Sequence, residues 1–423
     1  MTQDSAKIRK SAAALMDEVI GQGALLPEAL GGSAMQGLPP EGRARAQRLA
    51  TESLRALDRL DRVLKPYLRK QPSPEALNIL RVATWELCTG AAAHGVVNDA
   101  VAALSMSRKT GHLKGLGNAV LRKVAETGPQ TWNKHPVPAL PKWLRKPLVA
   151  AYGNQSVQKM EGAHFKGAPL DLTVKSDPDG WAARLGGKRT PTGSVRLTAP
   201  GQISALEGFE DGEWWVQDAA AALPAKMLDA QVGETVADLC CAPGGKTLQL
   251  AAAGAKVVAI DDSARRLERV TANLERTKLS ADVQELDVMD LQGQFDAILL
   301  DAPCSATGTI RRHPDLPLAK DGSEFASLIT LQSQMLEHAV TLLKPGGRLM
   351  FCTCSLLPDE GECQVEDLLA AHPDLSADRS ALKMPGIDPE WVTQEGGLRL
   401  RPDYWPNTGG MDGFYMALLR KAA

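Results

Sequence analysis

The chain has 423 residues, enough for two or three domains with substantial cores. Hydrophobic residues make up 44% and charged residues 23%, a composition typical of soluble globular proteins. No apolar stretch approaches the length of a membrane span, and Asp17 and Glu18 interrupt the alanine-rich start, which does not fit a signal peptide. We therefore expect a cytoplasmic protein with no membrane association, whose seven cysteines are reduced.

The overall charge of −2 hides an uneven distribution. Residues 1–150 contain 22 Lys and Arg against 12 Asp and Glu, whereas the remainder contains 26 against 38. This excess of positive charge can simply lie on the solvated faces of helices, or it can provide contacts to phosphates. The amino-terminal third is therefore a candidate nucleic-acid-binding region.

The first third of the chain is predicted to be helical. Apolar residues recur every three to four positions, which predicts amphipathic helices at 5–20, 41–69, 74–92, 95–110 and 115–126. We expect residues 1–130 to form an all-α domain. Prolines at 129, 136, 138 and 141 then deny the chain a helical continuation, so 131–141 is predicted to be a linker.

Two further regions follow. Residues 142–215 combine a short helical pattern at 143–152 with a strand-like segment at 170–174 and predict a small α+β insert. From residue 216 to 423, strands are predicted at 235–240, 256–261, 282–287, 295–301 and 347–354, with helical segments between them. This alternation predicts an α/β domain with a doubly wound, Rossmann-like sheet.

A glycine-containing turn follows the first of these strands and opens a helix. Glycine permits a tight turn and close approach of the backbone to a ligand, and a helix amino terminus can receive the carboxylate of an amino-acid-like cofactor. The residues of this turn are Cys240, Cys241, Ala242, Pro243, Gly244, Gly245 and Lys246. The spacing Gly-x-x-x-x-Gly-Lys is absent, which excludes a phosphate-binding P-loop.

Acidic residues end the next two strands. Asp261 ends the second strand, where a ribose hydroxyl pair is bound in doubly wound folds. Asp287 ends the third and could accept the adenine amino group, or it could be an ordinary acid in a loop. With the glycine turn, these positions predict a site for S-adenosylmethionine (SAM).

Two cysteines follow the fourth and fifth strands. Cys304 lies in Asp-Ala-Pro-Cys at 301–304, and Cys354 lies in Thr-Cys-Ser at 353–355. A thiolate that adds to carbon 6 of cytosine makes carbon 5 nucleophilic, and a second group must then assist elimination. Asp301 could hydrogen-bond the ring nitrogen and exocyclic amine and donate a proton. The pattern therefore predicts methyl transfer to a pyrimidine carbon.

Other interpretations of the cysteines are weaker. A single cysteine is more often a small buried hydrophobic residue than a nucleophile, and Cys352 fits that description. Cys304, Cys352, Cys354 and Cys363 could bind zinc, but no Cys-x-x-Cys pair is present. We therefore expect no metal.

Three motifs resemble those of the RsmB/Nop/Sun family of RNA cytosine-C5 methyltransferases. They are Asp-Leu-Cys-Cys-Ala-Pro-Gly-Gly-Lys-Thr at 238–247, Leu-Asp-Ala-Pro-Cys-Ser-Ala-Thr-Gly at 300–308 and Cys-Thr-Cys-Ser at 352–355. Thr-Ile-Arg-Arg-His-Pro-Asp at 309–315 is similar to the bacterial RsmB branch, which modifies 16S ribosomal RNA. Residues 75–126 resemble a NusB-like RNA-binding domain. Gln217-Asp218 and the segment 412–415 also match.

The resemblance implies specific roles. Cys240 to Lys246, Asp261, Asp287 and Asp301 would contact SAM, Cys354 would be the nucleophile, and Cys304 would assist product release. The expected partner is RNA, with 16S ribosomal RNA as the substrate. Cys241 stands where alanine is common, and Lys175 stands where asparagine is common, which leaves the RNA contact of the insert open.

Two alternatives remain at this point. The same chemistry could act on another ribosomal RNA position or on transfer RNA. From a different class, the NusB-like region alone would suit a noncatalytic RNA-binding factor, although both cysteines and the glycine turn are intact.

Overall fold

The computed structural model describes residues 2–198 and 201–423, so residue 1 of the predicted domain 1–130 and residues 199–200 of the predicted insert lie outside the described part. The chain divides into two compact units, one formed by residues 1–166 with 310–321 and the other by 167–309 with 322–423. Residues 131–141, expected to be a linker, lie inside the first unit, as does the helix expected to open the insert.

The first unit is helical. Its helices are α1 (Thr2–Gln22), α2 (Leu26–Ala29), α3 (Pro40–Arg55), α4 (Leu57–Leu64), α5 (Pro74–Cys88), α6 (Ala93–Ser105), α7 (Lys114–Thr131), α8 (Lys142–Lys166) and α13 (Leu316–Ala319). The helix predicted over 41–69 is two helices, because the backbone turns at Ala56 (φ −101°). The helix predicted over 143–152 continues beyond a kink at Gly153, whose φ is +78°.

The helical unit also holds a segment that lies far away in sequence. Leu26 N donates to Asp315 Oδ2 at 2.8 Å, and Arg55 Nη1 donates to the Arg311 carbonyl at 2.7 Å. Leu318 packs against the apolar cluster that α1 and α3 form. Residues 310–321 thus belong to the helical unit by their contacts, although the sequence pattern placed them in the domain 216–423.

The second unit begins with a small antiparallel sheet. Its strands are β1 (Leu170–Val174), β2 (Lys188–Arg189), β3 (Val195–Leu197) and β4 (Trp214–Val216), in the order β2-β3-β1-β4, with helix α9 (Pro178–Arg184). Trp181 and Trp214 fill its core with Leu172. The buried ion pair between Arg196 and Asp171, 2.6 Å long, fixes β3 beside β1.

A larger mixed sheet follows. Its strands are β5 (Thr235–Leu239), β6 (Lys256–Asp261), β7 (Asp282–Glu285), β8 (Phe295–Asp301), β9 (Leu343–Thr353), β10 (Leu375–Ala377), β11 (Leu398–Leu400) and β12 (Phe414–Lys421). Its helices are α10 (Leu223–Leu228), α11 (Gly245–Ala252), α12 (Ala264–Thr277), α14 (Phe325–Thr341) and α15 (Glu362–Ala371).

The strand order is β10-β12-β9-β8-β5-β6-β7, with β11 paired to β12. Strands β5 to β9 are parallel, whereas β12 runs antiparallel to β9. Alternate strand residues face two separate cores, one packed by α11 and α12 and the other by α14 and α15. Helices therefore cover both faces, and the order reverses beside β5, where α/β sheets bind ligands.

The five parallel strands lie where the sequence predicted them, apart from shifts at their ends. The antiparallel strands β10, β11 and β12 were not predicted. Across the described ranges 2–198 and 201–423, no helix is both long and apolar enough to span a membrane.

Candidate active site

The predicted site residues lie at one edge of the large sheet. The turn after β5, Asp261 at the end of β6, Asp301 at the end of β8 and Cys354 directly after β9 all occupy the carboxyl ends of neighbouring parallel strands. Parallel strands end at the same edge, so the alternation that predicted the sheet also places these side chains together.

The turn after β5 forms a cradle of backbone. Cys240 has a φ of +59° and Gly244 a φ of +98°, and α11 begins at Gly245. A Cβ at Gly244 would lie 3.2 Å from Val270 Cγ1 of α12, so the turn packs closely on that helix. The amino terminus of α11 provides N–H donors for a carboxylate. These features fit the amino-acid part of SAM.

Asp261 is buried, with 1% of its surface exposed. Its Oδ2 accepts from Ala242 N at 3.1 Å, its Oδ1 accepts from Ser263 N at 3.2 Å, and Arg266 lies 3.3 Å from the carboxylate. Each carboxylate oxygen has two acceptor positions, so capacity remains for ribose hydroxyls. Asp261 therefore shapes the turn and also fits the ribose of the cofactor.

Asp287 lies two residues beyond the end of β7 and is exposed. Its Oδ1 accepts from Met289 N at 2.9 Å and caps a short turn. The position beyond β7 suits contact with the adenine amino group, and the capping bond also fits an acid of ordinary loop function. Both interpretations of the sequence are thus compatible with the geometry.

Lys246 binds Asp301 across the edge of the sheet. Its Nζ lies 2.6 Å from Asp301 Oδ2 and 5.2 Å from the ring centre of Phe414. Burial is the largest single effect and lowers the pKa of Lys246. The charge and hydrogen bond of Asp301, together with the nearby Cys352 and Asp238, outweigh it in sum, so the pKa is raised. Lys246 therefore stays charged and holds the Asp301 side chain in place.

Cys304 and Cys354 are neighbours. Their sulfur atoms lie 3.5 Å apart, although fifty residues separate them in sequence. The hydrogen bond with Cys354, together with burial, raises the pKa of Cys304 well above that of an ordinary thiol. Cys304 is therefore held as a thiol beside the Cys354 sulfur.

The other cysteines near the site are buried thiols. Burial raises the pKa of Cys240, Cys241 and Cys352. Cys352 Sγ donates to Asp301 Oδ1 at 3.5 Å. Over residues 2–198 and 201–423, no group of three or more His, Cys, Asp or Glu side chains is arranged to hold a metal ion.

Two buried acids at this edge were missed from the sequence. Asp238 accepts from Thr247 Oγ1 at 2.6 Å, and its other oxygen has no hydrogen-bond partner. Glu360 is fully buried and accepts from the hydroxyls of Ser305 and Ser355. A signal was present, because each of the two cysteines is followed by a serine.

The chain is similar to known methyltransferases over nearly its full length. The ribosomal RNA small subunit methyltransferase B of Erwinia tasmaniensis is 34% identical over 442 residues, with 98% of each chain covered. Family profiles described as 16S rRNA methyltransferase RsmB/F and as the NusB family match residues 225–420 and 6–126.

Solved structures share the fold. The crystal structure of PH0851 has a TM-score of 0.74 at 23% identity and covers 98% of this chain and 99% of its own. A methyltransferase homolog from Pyrococcus horikoshii has a TM-score of 0.56 at 29% identity, over 66% of this chain and 95% of its own. The comparisons confirm the expected fold class, a NusB-like helical region followed by a Rossmann-like methyltransferase domain, and the expected methyl donor, SAM. The chain therefore belongs to the RsmB/F family of 16S rRNA methyltransferases.

Proposed function

We propose that this protein transfers a methyl group from SAM to carbon 5 of a cytosine in small-subunit (16S) ribosomal RNA through a covalent adduct with Cys354. The observation that carries the proposal is the 3.5 Å separation of the Cys304 and Cys354 sulfurs at the strand ends beside the glycine turn. Two thiols in contact suit a reaction that needs one group for addition and another for elimination. The names of the relatives support the RNA substrate.

The two thiols divide the reaction between them. The Cys354 thiolate adds to carbon 6 of the cytosine and so makes carbon 5 nucleophilic. When bound, SAM supplies the electrophilic methyl group that carbon 5 takes. Cys304 is held as a thiol before the reaction, so it first releases its own proton to solvent. Its thiolate, a stronger base because its pKa is raised, then accepts the proton from carbon 5 so that the bond to Cys354 can break.

Asp301 orients the cytosine. Its carboxylate already accepts from Lys246 and from Cys352, and its side chain is 29% exposed, so part of it remains open to a substrate. An acceptor of this kind can bind the exocyclic amine of cytosine. Proton donation to the ring nitrogen would in addition require the ion pair with Lys246 to open.

The binding surfaces belong to the same proposal. The contacts to SAM are assigned to Cys240, Cys241, Ala242, Pro243, Gly244, Gly245, Lys246, Asp261, Asp287 and Asp301. We assign RNA binding to residues 1–130 and a further RNA contact to residues 142–215, and we expect the protein to act in the cytoplasm, where 16S ribosomal RNA is made.

The decisive test compares two cysteine variants. Cys354→Ala should abolish methylation while SAM binding survives, because adduct formation needs its thiolate. Cys304→Ala should instead accumulate a covalent protein–RNA adduct, since elimination is the step it impairs. Denaturing gels with labelled RNA measure both outcomes. If the Cys354 variant forms a stable adduct and the Cys304 variant forms none, the roles of the two cysteines are the reverse of those proposed.

The target is tested in cells. Methylation at carbon 5 protects a cytosine from conversion by bisulfite. In ribosomal RNA from cells that lack the protein, one or more 16S cytosines should therefore lose this protection and be converted. If every 16S site stays protected and a transfer RNA cytosine loses it, the substrate assignment is wrong. If no RNA changes, the protein is a binding factor.

A further inference from the structure

Glu360 lies in the short turn Pro358–Glu360 that follows β9, and its carboxylate contacts the residues that follow the two cysteines. It is fully buried. Its Oε1 accepts from Ser305 N at 2.8 Å and from Gln332 Nε2 at 3.1 Å. Its Oε2 accepts from the hydroxyls of Ser305 and Ser355, each at 2.5 Å.

These donors connect the two loops that carry the thiols. Ser305 directly follows Cys304, and Ser355 directly follows Cys354. The carbonyl of Glu360 also accepts from Thr353 Oγ1 at 2.8 Å, which fixes the residue before Cys354. One side chain thus binds both Cys-Ser dipeptides, although they come from different strands.

We propose that Glu360 is a positioning residue whose carboxylate clamps the two Cys-Ser dipeptides and so sets the separation of the Cys304 and Cys354 thiols. Its role in catalysis rests on the proposed function, whereas its role in thiol geometry does not. Because Glu360 is fully buried, it acts through the loops and does not touch the substrate.

The energetics support a specific role. An unpaired carboxylate in a protein interior is costly unless hydrogen bonds replace its hydration. Here the four donors are neutral groups: two serine hydroxyls, one backbone N–H and the side-chain amide of Gln332. Bonds to a charged acceptor are shorter and stronger than neutral ones, so this carboxylate holds the loops more rigidly than an amide could.

The test variant is Glu360→Gln, with Glu366→Gln on the exposed face of α15 as a matched control. An amide keeps an acceptor oxygen for Ser305 N and Gln332 Nε2 but turns an NH2 group toward the two serine hydroxyls, which must reverse their hydrogen bonds to accept from it. The charge-assisted bonds that join the two dipeptides are therefore lost. Ser355→Ala removes the Ser355 side of the clamp, along with the bonds of that hydroxyl to Ser305, Thr307 and Leu357 N. It provides a second variant if Glu360→Gln fails to fold.

Thiol geometry is measured without RNA. Diamide takes two electrons and two protons from the thiols and is reduced to its hydrazine as a Cys304–Cys354 disulfide forms. The sulfurs need to approach from 3.5 Å to about 2.05 Å, so this link should form readily in the parent protein. Mass spectrometry of peptides with the other thiols alkylated identifies it. We expect about tenfold slower linking in Glu360→Gln and unchanged linking in Glu366→Gln.

Kinetics separate positioning from binding. In Glu360→Gln, kcat should fall by about a hundredfold, the scale of a misplacement of about 1 Å, while KM for RNA and the affinity for SAM stay unchanged. If Glu360→Gln folds and both its rate of disulfide formation and its kcat equal those of the parent, the proposal is overturned. If Glu360→Gln forms the disulfide more slowly than the parent, but the parent itself proves inactive on RNA, the clamp is supported and the proposed function is refuted.

Discussion

Asp238 and Asp261 show how surroundings give two buried acids different properties. Each has 1% of its surface exposed, and the two lie in neighbouring strands, Asp238 one residue before the end of β5 and Asp261 at the end of β6. Asp261 accepts from two backbone N–H groups and lies beside Arg266. Asp238 has Thr247 on one oxygen and no partner on the other, so burial raises its pKa to about 7. Asp238 therefore loses its charge readily.

Asp261→Asn should weaken SAM binding. Loss of charge-assisted bonds to the ribose costs on the order of 1.5 to 3 kcal/mol, or about one to two decades in dissociation constant. Calorimetry on the purified variant measures this. Asp262→Asn, at the exposed next residue, serves as the control and should bind normally. Equal affinity in both variants would remove Asp261 from the site.

Asp238→Asn should change how stability depends on pH. The unfolded chain releases this proton near pH 4, whereas the folded protein keeps it until about pH 7. Between these values the folded state holds more protons, so Asp238 makes the free energy of unfolding fall as pH rises. The variant should lose less stability over this range, by about 1.4 kcal/mol for each pKa unit removed.

Urea unfolding at about pH 5 and about pH 7 measures the difference. Asp282→Asn, an exposed acid on β7, should keep the parental pH dependence. If the free energy of unfolding of Asp238→Asn depends on pH as it does in the parent, burial does not raise the pKa of Asp238.

Position at the end of a strand identifies several of the site residues from the sequence alone. Cys304, Cys354, Asp301 and Asp261 were predicted because apolar runs stop at them. Their neighbours could not be predicted in the same way. That Glu360 binds both serines depends on the path of a turn in three dimensions, which no local periodicity encodes.

At the element scale, two glycines let the cysteine loop meet the segment before β12. Gly308 N donates to the Cys354 carbonyl at 2.9 Å, and Gly413 N donates to the Gly308 carbonyl at 2.8 Å. A Cβ on Gly308 would lie 1.9 Å from the Gly413 carbonyl oxygen and 2.9 Å from that of Cys354. The loops can therefore touch only if residue 308 has no side chain.

Gly308→Ala should consequently displace the Cys354 loop. We expect a loss of about 1 to 3 kcal/mol in stability from overpacking. We expect a fall of about a hundredfold in methylation from the misplaced thiol. Gly162→Ala, in α8 with open space around it, should be neutral or slightly stabilising. Thermal unfolding and a methylation assay compare the two. Full activity in Gly308→Ala would show that the loop tolerates displacement.

Some elements could be predicted from local pattern and others could not. Strands β5, β6 and β8 are short, largely apolar runs between turns, which periodicity identifies. Strands β10 and β11 have three residues each, too short for such a signal, and their pairing with β12 is a long-range property. The turn at Ala56 between α3 and α4 likewise interrupts an unbroken helical pattern.

At the scale of the whole molecule, charge separates along the chain. The excess of Lys and Arg lies in residues 1–150, within the helical unit, while the remainder of the chain carries an excess of Asp and Glu. Periodicity could predict that this region is helical but not that residues 310–321 join it, because that association depends on Arg55, Leu26 and Asp315. Deletion of residues 1–130 would therefore remove the hydrogen-bond partners of residues 310–321. Substitutions on the surface are the cleaner test of whether the helical unit binds RNA.

Lys109→Gln with Lys114→Gln should weaken RNA binding and leave SAM affinity unchanged. Both lysines are exposed on the helical unit. Each phosphate contact releases condensed counterion, so the logarithm of the binding constant should fall with the logarithm of salt with a slope of about −0.7 per contact on single strands. Loss of two contacts should flatten that slope by about 1.4. Filter-binding titrations at several salt concentrations measure it. Lys256→Gln with Lys383→Gln, two exposed lysines of the other unit, is the matched control. If both pairs leave the slope unchanged, the positive charge of the helical unit is a solvated surface and RNA binds elsewhere.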